Sequence, residues 1–201
     1  MNLSRLRLSR MFLVARTRSG VPILVHCSVP AIALILLVNG SRHLLIMSAG
    51  VIAYLAILLI HELGHQRVAE WRGCKVIAIH IYPIHGSCTY NVPDSWWDDG
   101  LIAWGGAAAQ LIVAAPLFVF AKVVGSTGVA SLDVAIVVLA VYSPIIAVVN
   151  LLPISTLDGR KAWAIVPLAW KKFRRRRNLV AMTPMEAMEE ALRKARGAKR
   201  Q

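Results

Sequence analysis

Cysteine is nearly missing from this chain. Cys27, Cys74 and Cys88 are the only three in 201 residues, an odd number with no C-x-x-C pair, so no disulfide framework is implied. Acidic residues are scarce too, 10 against 23 Lys and Arg, and the first 20 residues contain none. That opening segment also lacks a long apolar stretch. Its longest before Arg16 is "MFLVA", too short for a signal-peptide core, and it is expected to stay on the protein as a basic arm. Charge of either sign is absent from four stretches, 21–41, 44–60, 101–121 and 134–154. No internal repeat or low-complexity segment stands out.

What the chain does have is apolar side chains, 57% of the total, with a mean hydropathy of +0.61. Its net charge of +13 is not spread out. Residues 1–20 carry five Arg, residues 171–201 carry eleven Lys and Arg against three Glu, and residues 21–170 balance seven bases with seven acids. A nucleic-acid binder interleaves its bases with polar and aromatic groups on a folded face, so no nucleic-acid partner is expected. Bases at both ends of an apolar block are the signature of membrane topology. Each charge-free stretch is long enough to cross a hydrocarbon core of about 30 Å at ~1.5 Å per residue. Four crossings return both termini to one side, and their charge places that side in the cytoplasm.

The expected fold is therefore an all-α polytopic protein of the cell membrane. It has about four transmembrane helices, near 23–39, 44–66, 101–122 and 133–152, in a core spanning 21–170. Pro22 and Pro30 interrupt the first span, so "VPILVH" should be extended and its helix should begin near Val29. Between the second and third spans, "KVIAIHIYPIH" alternates and is β-branched, predicting a small membrane-associated hairpin over 75–92. Trp71, Trp96 and Trp97 suit an interfacial aromatic belt. Asp94, Asp98 and Asp99 read as a helix start. "GRKAWAIVPLAW" after Asp158 is too short to span and predicts an interfacial or re-entrant helix. The tail, 171–201, combines a polybasic run suited to anionic lipid with a short cytoplasmic helix over 183–196, capped by Thr183, Pro184 and Glu186.

The chemistry concentrates in "LLIHELGHQRV", residues 58–68. H-E-x-x-H on a helix puts His61 and His65 one turn apart on one face, where both rings can share a zinc ion with Glu62 beside it. The plainer reading is a pair of helix-end histidines bonded to neighbours or headgroups. Ionisable residues inside a membrane segment nonetheless signal function. A catalytic zinc takes three protein ligands and keeps a fourth position open. His26, His43, His80 and His85 are available, but Asp158 in "NLLPISTLDGR" follows the fourth span on the membrane side where the second ends. An uncompensated Asp at that depth needs a partner, and a cation is a good one. Alternatively, Asp158 caps the helix that starts at Gly159. His80, His85 and Cys88 form a further H-x4-H-x-x-C pattern that lacks a fourth ligand.

With "HELGH" in one membrane helix and "NLLPISTLDG" at the end of another, the sequence resembles the site-2 proteases over most of residues 20–160. These are intramembrane zinc metalloproteases that cut membrane-spanning segments of other proteins. "VPILVHCS" is similar to the family's first segment. The resemblance implies one Zn2+ held by His61, His65 and Asp158, with Glu62 as the catalytic acid and base. It further implies a minimal form without PDZ or CBS domain, a transmembrane protein as substrate, and Asn150 helping to position substrate or oxyanion. In the third span, "WGGAAAQ" departs from the family's Gly-x-x-x-Asn element, leaving Gly106 and Gln110 as its nearest match. "PIHGSC" lacks the expected double glycine, and Arg160 follows Gly159 where small residues are common. Two other classes stay open: a membrane zinc transporter or metal-binding protein, and a catalytically inactive helix-binding scaffold. A homo-oligomer is among the assemblies the sequence allows.

Overall fold

A computed structural model describes residues 10–40, 43–181 and 188. It divides into two compact units, residues 1–163 and 164–201. The first opens with a hairpin of β1 (Met11–Arg16) and β2 (Pro22–His26). Its turn places Gly20 at φ 86°, in the left-handed region where glycine fits without strain. Next come α1 (Ser28–Asn39) and α2 (Leu44–Trp71), then a second hairpin of β3 (Val76–Ile81) and β4 (Gly86–Tyr90). The four strands form one sheet in the order β1-β2-β3-β4. The hairpin expected over 75–92 is present. The strand inside the basic arm was not expected, because its three central residues, Phe12, Leu13 and Val14, are all exposed and show no alternation.

β2 runs parallel to β3, pairing Ile23 with Ile79 and Val25 with Ile81. This brings β2 to the C-terminal end of α2, and α1 follows it back toward the start of α2. The crossing expected near 23–39 is thus not one helix. Pro22 and Pro30 leave only the 12 residues of α1 helical, about 18 Å at ~1.5 Å per residue, short of the ~30 Å core. Strand and short helix divide that stretch between them.

Among the described residues, three helical segments are long and apolar enough to cross a membrane: α2, α3 (Trp96–Val124) and the stretch Ala130–Asn150. The last is α4 (Ala130–Val137), a π-helical turn over 138–142 and α5 (Ser143–Asn150). Pro144 explains the wide turn, since it has no N–H for the i→i−4 bond. The outer faces of these segments carry large apolar side chains, with Leu45, Ile112 and Val123 all more than 70% exposed. Lipid accommodates that surface and water does not. These features make the chain a membrane protein.

α3 begins as the sequence suggested. The Ser95 side chain accepts from the Asp98 amide, and Asp98 and Asp99 sit in the first turn, where the helix dipole favours acids. It crosses α2 at two glycines. A Cβ on Gly64 would lie 2.7 Å from Ala109 Cβ, and one on Gly105 would lie 2.7 Å from the Gly64 carbonyl oxygen. Small residues let these backbones touch. Ala69, Ile79 and Ile102, from α2, β3 and α3, are fully buried in one cluster and join helices to sheet. Helix α6 (Gly159–Ala181) continues through the polybasic run as one helix, where only a short interfacial segment was expected. The helix expected over 183–196 lies outside the described residues, apart from Met188.

Candidate active site

His61, Glu62 and His65 lie in the C-terminal half of α2, each more than 90% buried. The chain leaves α5 at Asn150 and folds back through a tight loop to Asp158. Gly159 makes that return fit, because any side chain there would collide with the Leu151 and Leu152 carbonyls. Asp158 also begins α6, its carbonyl accepting from the Lys161 and Ala162 amides. Its side chain turns elsewhere. Oδ2 lies 2.9 Å from His61 Nε2 and 3.1 Å from His65 Nε2, and the two Nε2 atoms are 2.9 Å apart.

The opposite ring nitrogens face oxygen acceptors, and these favour the Nδ1–H tautomers. His65 Nδ1 lies 2.7 Å from the Ile102 carbonyl oxygen, which can only accept, so the hydrogen sits on Nδ1. His61 Nδ1 faces Gln110 Oε1 at 3.0 Å. With both hydrogens on Nδ1, the neutral rings point two lone pairs at Asp158 Oδ2. Three acceptors within 4.8 Å of one another, with no hydrogen left between them, form a site for a cation. A tetrahedral zinc with bonds of ~2.0–2.1 Å needs ligand atoms about 3.3 Å apart, a few tenths of an ångström wider than found. Gly106 leaves room beside them, since a Cβ there would sit 2.6 Å from both His65 Nε2 and His61 Cε1. Donor set, tautomers and free space fit Zn2+.

Glu62, Gln110 and Asn150 line the same cavity of about 650 Å³ as these three residues. The Cys88 backbone N–H donates to the Glu62 carboxylate, and a Cβ on Gly86 would lie 2.6 Å from Glu62 Cδ. β4 therefore closes over Glu62, with a glycine where a side chain would push the carboxylate away. Cys88 also lines the cavity, but burial and the Glu62 charge push its thiol up to about 12, which keeps it neutral and disfavours metal binding.

The remaining histidines stay apart from this centre. His43 precedes α2, about 27 Å along the axis from His61 at ~1.5 Å per residue. His26 Nδ1 engages Ser28 Oγ at 2.6 Å. His80 pairs with Ser87 while Ile79 pairs with Cys88, so His80 and Cys88 point to opposite faces of the sheet. His85 lines the cavity and stacks on Tyr82. Among the described residues, His61, His65 and Asp158 form the one three-residue cluster with metal-ligand geometry.

The sequence pointed to Gln110 but not to its partner. Gly106 and Gln110 are four apart on α3 and share a face, as His61 and His65 do on α2. Gln110 is fully buried, with Oε1 on His61 and Nε2 without a hydrogen-bond partner. Groups that hold the far nitrogen of a metal-binding histidine typically contribute ~10–100-fold to affinity. Gln110→Ala is expected to weaken zinc binding by about that factor, measured by competition with a fluorescent chelator.

No protein-family model matches the sequence, and no curated protein matches it. Its structure is similar to the solved site-2 protease from Methanocaldococcus jannaschii, at a TM-score of 0.60 over 78% of this chain and 71% of that one. Sequence identity over the match is 18%, so the likeness is one of architecture. The chain has a site-2 protease-like fold.

Proposed function

We propose that this protein is an intramembrane zinc metalloprotease. It would hydrolyse a peptide bond within or near the transmembrane segment of another membrane protein. The observation that carries this reading is the convergence of two histidine lone pairs and a carboxylate beside Glu62, in a cavity bordered by a free strand edge. In this reading His61, His65 and Asp158 hold Zn2+, which supplies a Lewis acid for the scissile carbonyl and acidifies water. Glu62 accepts the proton of the attacking water as the new C–O bond forms. It then gives that proton to the leaving nitrogen as the C–N bond breaks. Asn150 lines the same cavity and is suited to hold a substrate carbonyl, while the fully buried Gln110 holds His61 from behind.

A transmembrane helix must unwind to expose its carbonyls, and β4 offers a partner for the extended chain. The Tyr82 backbone N–H donates to the His85 carbonyl, and the Asn91 backbone N–H donates to the Lys75 carbonyl. Antiparallel alternation from these bonded pairs, across the bulge between Val76 and Ala78, turns Gly86, Cys88 and Tyr90 outward. Their N–H and C=O groups face the open edge, and that of Cys88 already meets Glu62. A substrate strand added there would lie beside the catalytic carboxylate. Basic residues at both ends of the chain support cytoplasmic termini and a site opening to that side.

The test is reconstitution of the purified protein in liposomes with a single-span peptide. Cleavage is expected to vanish on removal of metal with a chelator and to return with added Zn2+. Cleavage that survives stripping rules out the proposal.

A further inference from the structure

The free edge of β4 does not end at Glu62. A second cavity of about 370 Å³ continues along it, sharing Cys88, Tyr90 and Lys161 with the first. Its polar wall is a three-residue cluster. Asp99 Oδ1 accepts from the Tyr90 hydroxyl and from Lys161 Nζ, both at 3.1 Å, and Lys161 Nζ lies 5.8 Å from the centre of the Tyr90 ring. Burial and the Asp99 charge push the Tyr90 phenol up, so it remains a hydrogen-bond donor. The Asp99 side chain is only 14% exposed, whereas that of Lys161 is 49% exposed. Asp99 offsets the Lys161 charge and takes one of its three donors, which leaves two N–H donors of the half-exposed ammonium for an acceptor on an incoming chain.

We propose that this cavity is a substrate subsite in which Lys161 binds an acidic side chain of the substrate's juxtamembrane segment. The inference rests on the proteolysis reading for its substrate. Tyr90 lies two residues beyond Cys88, about 6.6 Å along the strand. A substrate paired with this edge therefore carries a residue past Tyr90 a short distance from the bond facing Glu62. Continuity with the strand edge and with Glu62 favours a peptide over a lipid phosphate. Lys161 is a specificity-determining residue in this scheme, with Asp99 and Tyr90 fixing its ammonium over the edge.

The test uses single-span peptides with blocked ends in phosphatidylcholine liposomes, with Glu, Ala or Lys walked through each juxtamembrane position. Binding is read by fluorescence anisotropy on the Glu62→Gln protein, which keeps the peptides whole, and cleavage is read on the otherwise unaltered protein. At one position Glu is expected to bind about 5-fold tighter than Lys, the scale of a partly exposed ion pair. Adding Lys161→Glu should reverse that order, Lys161→Gln should flatten it, and Lys161→Arg should retain it. Zinc content reports whether each variant keeps its fold at Asp158. Equal binding of Glu and Lys peptides at every position, or a preference unchanged by Lys161→Glu, overturns the subsite. Cleavage without charge preference removes the subsite and leaves proteolysis standing. A preference that Lys161→Glu reverses, with no peptide cleaved, retains the subsite and removes proteolysis.

Discussion

Glu62→Gln is expected to reduce cleavage of a reconstituted single-span substrate by ~100- to 10,000-fold, the usual contribution of a positioned general acid and base. Zinc content should be unchanged. The substitution preserves size and hydrogen bonding capacity but removes the carboxylate that, in the proposed reading, takes and returns the proton. Glu62 is not among the three converging ligand atoms, which come from His61, His65 and Asp158, so metal binding does not require it. The glutamine can still accept from the Cys88 N–H and fit beside Gly86. A large fall in rate with the metal retained is the specific signature. Loss of both together would move Glu62 into the ligand set.

Asp158→Ala should remove zinc and activity together. It deletes one of three ligand atoms and leaves two imidazole lone pairs facing each other 2.9 Å apart. The loss of zinc affinity should exceed the ~10–100-fold typical of an outer-shell partner, and therefore exceed that of Gln110→Ala. Metal analysis after gel filtration measures it directly. Asp158 also begins α6 through its backbone carbonyl, a contact that alanine keeps, so the helix start survives and the effect reads on the metal site. A residue whose side chain served only as a helix cap would leave zinc content at one ion per chain when replaced.

How much was legible in the sequence follows from the range of the interactions involved. H-E-x-x-H is a local pattern, one helical turn long, and it pointed to His61, Glu62 and His65 directly. Asp158 is 93 residues from His65, yet charge placement and the end of an apolar stretch pointed to it, because topology counts crossings without needing contacts. The prolines of the first stretch announced its division into an extended segment and a helix, which strand Pro22–His26 and helix Ser28–Asn39 show. Hydropathy, which measures only the length of the whole apolar run, did not show that the helical part is shorter than the ~30 Å core. The parallel β2–β3 contact joins residues more than 50 positions apart and leaves no local periodicity to find. β1 was missed because its apolar residues are exposed and do not alternate.

The finer parts of the site were written in small residues. Gly64, Gly86, Gly105 and Gly106 each mark a close approach of two segments, and a glycine in sequence does not name what approaches it. Gln110 was visible as a polar residue in an apolar stretch, but its partner His61 lies 49 positions away, and Lys161, 62 positions from Asp99, carried no signal of its own. Such pairings follow from the packing of α2, α3 and the loop to Asp158, and spacing alone does not encode them.

The most direct measurement is the mass of the products formed from a single-span peptide in zinc-loaded proteoliposomes, which locates the broken bond. The account predicts two fragments meeting at one bond within or at the border of the apolar segment, formed by the unaltered protein and absent with Glu62→Gln. An intact peptide in the presence of fully zinc-loaded protein, or the same fragments at the same rate from Glu62→Gln, would contradict it.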